Sequence, residues 1–188
     1  MKKETVRSNL SAHGTLEFLT KLSVLKGTPR KGWIVKAGIE RPESVADHVY
    51  RTAMMALVLS FERPDLDKQR LLEMALIHDL AEITVGDLMP EEKIGPKAEL
   101  KAELEIISSL ESRVRKRFLL LLTEYHEGKS PEAIMLKQID KLEMALQAQE
   151  YVREGNDRKK FEDFRLTAKR SIHEPNLIAL LGEIDSLD

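Results

Sequence analysis

Two histidines and two aspartates stand in this 188-residue chain at positions where polar side chains are out of place. In the run Ala75-Leu-Ile-His-Asp-Leu-Ala-Glu82, His78 continues the apolar stripe begun by Leu71 and Ala75, so helical periodicity aims an imidazole at the core. Asp79 follows directly. Glu82 lies four residues beyond His78 and three beyond Asp79, so one turn of helix lets all three side chains converge. His48 shares a second stripe with Val45, Thr52, Met55 and Leu59. Asp140 interrupts a third between Leu136 and Met144, and a carboxylate buried alone is so costly that it has to meet a cation or a dense set of donors. Taken singly, each has an ordinary structural reading: an incidental His-Asp pair, or an Asp140 paired with Lys137 or Lys141. Taken together, two imidazoles and two carboxylates on three helices make the donor set of a divalent cation. With no cysteine in the chain, any metal has to be held by His and carboxylate groups.

The elements that must position these groups read as helices almost throughout, because apolar residues recur at helical spacing and no useful strand alternation or glycine-rich fingerprint occurs. Leu16, Leu19, Leu22 and Val24–Leu25 predict a first helix over about 16–25, stopped by Gly27 and Pro29, with a loop over 28–42. Ser44 followed by Asp47 predicts a capping box opening a second helix that Pro64 ends. A third helix is expected over about 67–85, with Leu71, Met74, Ala75, His78 and Glu82 on one face. Gly86 and Pro90 then open a loop reaching about Pro96. Further helices are expected over about 97–110, 114–125, 132–154, 159–172 and 176–184, which makes seven or eight in one all-α domain. Residues 1–13 are expected to be a flexible N-terminus.

Composition narrows the function classes. A chain of 188 residues suits one domain burying roughly two-thirds of its unfolded surface. Thirty basic against 32 acidic residues, well interspersed, give a formal charge of −2 and no broad field for a nucleic-acid polymer or an anionic membrane. No leader-like N-terminus and no run of ~18 apolar residues is present, so a cytoplasmic address and no membrane partner are expected. The basic run Arg113-Val-Arg-Lys-Arg117 reads as a solvated helix face, and His13, His126 and His173 as surface or structural residues. Leu119 to Leu122 read either as core or as an interface.

Glu43-Ser-Val-Ala-Asp-His48, Leu76-Ile-His-Asp-Leu-Ala-Glu82, Gly86-Asp87 and Gln138-Ile-Asp-Lys141 resemble, in order and spacing, the motifs of the HD-superfamily 5′-deoxynucleotidases. The resemblance is to the subgroup of eukaryotic HD-domain-containing nucleotidases, and it runs from about Leu16 through His173. It implies a compact helical bundle of the HD type in which His48, His78, Asp79 and Asp140 ligate a divalent metal. Mn, Co, Fe, Ni, Zn and Mg are all open on ligand type. It implies that Glu82 positions or deprotonates an attacking water, that Asp87 is a partner acid or sugar contact, and that Glu82, Asp87 and the Leu88 carbonyl hold a second ion. It further implies that Arg30 contacts phosphate and Trp33 stacks near sugar or base, that the substrate is a nucleotide, and that the protein is a homodimer. Bacterial members place the Arg and Trp side by side, whereas Lys31 and Gly32 intervene here, so the deoxyribose selectivity of that branch is not carried over. A loop tryptophan also has a plain reading as a packing anchor.

The preferred activity is therefore hydrolysis of a nucleoside 5′-monophosphate to nucleoside and phosphate. An HD phosphohydrolase acting on a triphosphate, a cyclic dinucleotide or a guanosine polyphosphate keeps the same metal, but the absence of further domains weighs against it. A di-iron oxygenase wants more ligands than these, and no Glu-x-x-His pair occurs. A non-catalytic helical binding module, with the polar residues as an inert network, is the remaining alternative.

Overall fold

The computed structural model of the chain describes residues 11–92 and 94–187. Its first helix begins earlier than the apolar stripe suggests. Ser11 caps α1 (Ala12–Lys21) by accepting from Gly14 N, so residues 11–13 belong to a capped helix rather than a flexible tail. Residues 1–10 lie outside the described range. A second short helix, α2 (Ser23–Gly27), stops where Thr28 becomes extended ahead of Pro29.

The segment after it, a loop by its sequence, is more ordered than that. It contains a π-helical turn over Trp33–Ala37, closed by Gly38 at φ 70°, and an antiparallel bridge from Pro29 to Ser44 that ties its two ends together. Arg30 N–H donates to the Glu43 carbonyl at 3.0 Å and Val45 N–H to the Thr28 carbonyl at 2.9 Å. Ser44 and Asp47 then form the capping box read from the sequence, and α3 (Val45–Leu59) follows.

Asp67 caps α4 (Lys68–Ile77), which ends about eight residues before the sequence pattern does. At His78 the backbone tightens: Leu80 N–H donates to Ile77, Glu82 to Asp79 and Ile83 to Leu80, all three-residue steps, before α5 (Glu82–Val85) resumes for one turn. The local cause is visible at the Ala75 carbonyl, where the α ladder would go on to Asp79. It accepts instead from the His78 ring Nδ1 at 2.8 Å. In a three-residue turn side chains at i and i+3 eclipse, which puts Asp79 and Glu82 in line.

The remaining helices are α6 (Pro96–Ile106), α7 (Ser112–Glu127), α8 (Pro131–Arg153), α9 (Glu162–Ser171) and α10 (Pro175–Asp185). Among the described residues eight helices reach ten residues or more and no strand forms, in keeping with the all-α expectation. None is long and apolar enough to cross a membrane. The centre of the bundle is α8, against which α3, α4, α7, α9 and α10 pack. Its Leu136, Ile139 and Leu142 are fully buried with Leu71 and Met74 of α4 and Leu121 and Leu122 of α7. Burying each such side chain stabilises the fold by about 1.5–3 kcal/mol. Leu120, between them in sequence, is half exposed, so that leucine run is split between core and surface. A smaller cluster of Trp33, Ala37, Ile39, Ala148, Tyr151 and Phe161 fastens the π-helical turn to the far end of α8.

Candidate metal centre

The core that buries α3, α4 and α8 also buries the polar residues on their inner faces. His48 from α3 is fully buried and His78, at the end of α4, is nearly so. His48 Nε2 lies 3.2 Å from Asp140 Oδ1 and 3.6 Å from Asp79 Oδ2, and His78 Nε2 lies 3.3 Å from the same Asp79 oxygen. Potential ligand atoms of His48, His78 and Asp140 all fall within 4.8 Å of one another. The four side chains singled out by spacing are thus brought to one centre.

The two rings are also turned the same way. His48 Nδ1 sits 2.5 Å from Glu143 Oε2 and His78 Nδ1 sits 2.8 Å from the Ala75 carbonyl, so each ring donates outward from Nδ1 and presents Nε2 to the centre. Tyr125 braces His78 from the side, edge to face at 5.6 Å. Three buried atoms at the centre have no hydrogen-bond partner: His48 Nε2, His78 Nε2 and Asp79 Oδ2. Orphaned polar atoms at this depth are rare and each implies a missing partner. Two imidazole nitrogens and a carboxylate oxygen facing one point suit a divalent cation.

The electrostatics agree. Burial and Arg30 disfavour a charged His48, yet Glu143 and Asp140 outweigh them and raise its pKa to about 10, so the surroundings favour positive charge at this spot. Burial pushes Asp140 upward, but Lys141 and His48 overcome it and hold its pKa well below the ordinary carboxylate value. Lys141 Nζ stands 2.9 Å from Asp140 Oδ2.

A cavity of about 230 Å³ opens from this centre, with Asp79, Glu82, Asp87 and Asp140 facing Arg30 and Lys141 at its deep end. Arg30 Nη1 reaches Asp87 at 3.4 Å, Glu82 at 3.9 Å and Asp79 at 4.0 Å. Asp87 is fixed in turn by the Lys31 N–H at 2.6 Å. Burial, Asp79 and Asp87 push Glu82 up to about 9 against the opposing pull of Arg30. Leu88 lines the same wall. Trp33 also borders the cavity, but its ring is buried against Tyr151, Phe161 and Phe164, and its indole N–H donates to Glu43 at 3.0 Å.

The family model for the HD domain matches residues 22–178, a span that holds every one of these side chains. The chain belongs to the HD-domain family. Its sequence is similar to 5′-deoxynucleotidase HDDC2 of Mus musculus, 38% identical over 184 residues that cover 95% of this chain and 90% of the relative. The Homo sapiens protein of the same name is 37% identical over 187 residues. Among solved structures it is similar to a conserved hypothetical protein from Pyrococcus furiosus, with a TM-score of 0.75 at 29% identity, covering 92% of this chain and 99% of that one.

Sequence reading of this HD domain passed over two residues that the structure puts behind the centre. Glu143 is fully buried, and Arg51 grips it through Nε at 2.9 Å and Nη2 at 2.7 Å while also reaching Glu150 at 2.6 Å and the Gln147 side chain. The signal was a repeated spacing. Arg51 is one turn after His48 and Glu143 one turn after Asp140, so the same two helix faces that supply inward groups supply their supports. His126, read as structural, pairs with the buried Glu103 at 2.9 Å, away from the centre.

Proposed function

We propose that this HD domain is a metal-dependent 5′-nucleotidase that hydrolyses deoxynucleoside or nucleoside 5′-monophosphates to nucleoside and phosphate. The observation that carries the proposal is the set of unpartnered Nε2 and Oδ2 atoms of His48, His78 and Asp79, next to a small cavity that Asp79 and Asp140 line together with Arg30. The cavity is of a size for a small molecule rather than a polymer. That the similar proteins of Mus musculus and Homo sapiens are named 5′-deoxynucleotidases supports the choice of substrate class.

In this reading His48, His78, Asp79 and Asp140 hold the principal divalent ion, and Glu82 and Asp87 with the Leu88 carbonyl hold a second. A bound ion supplies Lewis-acid polarisation of the phosphoryl group and acidifies water at neutral pH. The protein's own groups do the rest. Arg30 presents a planar fork of donors to phosphate oxygens, and its three carboxylate neighbours hold that fork in place. Lys141, steadied on Asp140, is a second cation on the same wall. Glu82 takes the proton of the attacking water. Burial and the neighbouring Asp79 and Asp87 charges raise its pKa and with it its affinity for a proton. Asp87, anchored by the Lys31 N–H, keeps Arg30 and the sugar end of the substrate in register.

The test is phosphate release from a panel of nucleoside mono-, di- and triphosphates by chelator-treated protein reloaded with single metals. Release from monophosphates alone is expected, with Asp79→Ala and Glu82→Ala both inactive. Hydrolysis of triphosphates in preference, or metal-independent release, would overturn the proposal.

A further inference from the structure

A nucleotide has a charged end and a flat end, and the cavity is built with the same asymmetry. Away from Asp79 and Asp140 its lining passes Trp33 and Met144 and reaches a rim made by the π-helical turn and α9, where Gly32, Lys36, Asp163, Phe164 and Thr167 face the opening. Phe164 is partly buried. Trp33 holds one side of its ring with centroids 4.3 Å apart, and Phe161 supports it at 6.4 Å. Lys36 Nζ stands over the same ring, 5.8 Å from its centroid. Its partner Asp163 is 3.9 Å away.

The rim thus offers a fixed aromatic face with one donor and one acceptor at its edge. Thr167 adds a further acceptor, because its hydroxyl hydrogen is committed to the Asp163 carbonyl at 2.7 Å. Gly32 keeps the place beside the ring open: a Cβ there would lie 3.4 Å from Phe164 Cε1. Flat π faces with polar edges are what aromatic platforms bind best.

Resting on the nucleotidase reading above, we propose that Phe164 is the platform on which the nucleobase of the substrate stacks, with Lys36 and Asp163 meeting its polar edge. Discrimination between a nucleotide and a base-free sugar phosphate then resides on α9 and the π-helical turn, remote from the metal ligands. The lysine moves from the ring face to the edge of the base, as a long exposed side chain can.

The experiment compares kcat and KM for deoxynucleoside 5′-monophosphates with those for 2-deoxyribose 5-phosphate in the metal-loaded enzyme. Wild type is expected to prefer the nucleotide. In Phe164→Ala that preference, measured as a ratio of kcat/KM values, should shrink by about 10-fold or more through KM for the nucleotide, and Phe164→Trp should restore it. Gly32→Val approaches the same point without removing the ring. Its backbone, at φ −55° and ψ −39°, accepts a side chain, and the added methyls should block stacking and shrink the ratio likewise. A ratio unchanged in both variants, or a wild type indifferent to the base, would overturn the proposal. Failure of the nucleotidase reading looks different, since wild type would then release no phosphate from any monophosphate.

Discussion

The two ends of the cavity are made to different standards. At the deep end His48, His78, Asp79 and Asp140 come from α3, the turn after α4, and α8, the elements packed around the main core, with both histidines buried and both imidazoles locked through Nδ1. At the rim, Lys36 and Asp163 stand on the π-helical turn and α9 with side chains 40% and 77% exposed. A cation demands ligand atoms fixed to a fraction of an ångström, which only packed helices with supported rotamers supply. A nucleobase tolerates a softer surface, because stacking depends on area more than on bond angles. Substitutions at the two ends should therefore fail in different ways.

The largest effect is expected at the deep end. Asp79→Ala or His48→Ala removes a group that faces the centre, and activity should drop by more than the ~100-fold that loss of an outer support causes. Calorimetric titration with Mn should show the matching loss of binding, and retention of tight binding by both variants would break the ligand assignment. Next comes Trp33, which borders the cavity yet is buried with Tyr151 and Phe161. Trp33→Ala should lower stability by about 3–5 kcal/mol in urea unfolding. Unchanged stability with a raised KM would instead make the ring a substrate contact rather than a packing anchor.

Glu143 sharpens the comparison further, because it touches His48 behind the proposed metal site and is not part of the cavity lining. Glu143→Gln keeps the shape but gives up the charged acceptor for Nδ1, and metal affinity should fall by about 10–100-fold. The preference for nucleotide over sugar phosphate should stay as it is, since the rim is untouched. Loss of that preference together with metal affinity would show that the two ends are not independent.

How far the sequence could be read follows the same division. His48, His78 and Asp140 stood out because a 3.6-residue period assigns an inward direction to each helical position; His48 and His78 are buried, while Asp79, the neighbour of His78, and Asp140 are partly buried. The break at His78 was not legible. The pattern of apolar residues runs on through Val85, and only the bond from the His78 ring to the Ala75 carbonyl reveals the tightened turn. Ser44 and Asp47 announced their cap because the motif is local. The π-helical turn at Trp33 is held by Tyr151 and Phe161, more than 100 residues away, and no periodicity within the turn encodes that support. Glu143 carried a signal that was not used: its spacing from Asp140 matches that of Arg51 from His48.

The smallest effect belongs to the brace of the rim. Asp185, on α10, accepts from Arg165 Nε at 2.9 Å and Nη2 at 2.7 Å, and Lys169 Nζ lies 2.9 Å from its other oxygen, so α9 is fastened to α10 by one carboxylate. Burial pushes its pKa up, but the Lys169 and Arg165 contacts outweigh burial and the folded value lies below the ordinary one. A depressed folded pKa means that the stabilisation is fully present above the unfolded value, about 3.9, and is lost as pH falls through the folded value. Asp185→Asn should therefore cost about 1 kcal/mol at neutral pH, and its unfolding curve should merge with that of wild type in the acid range below about pH 4. Because the brace acts on α9 and reaches none of the ligand helices' inner faces, metal affinity should not move. A variant that lost metal binding as well would mean that α9 helps to hold the centre together.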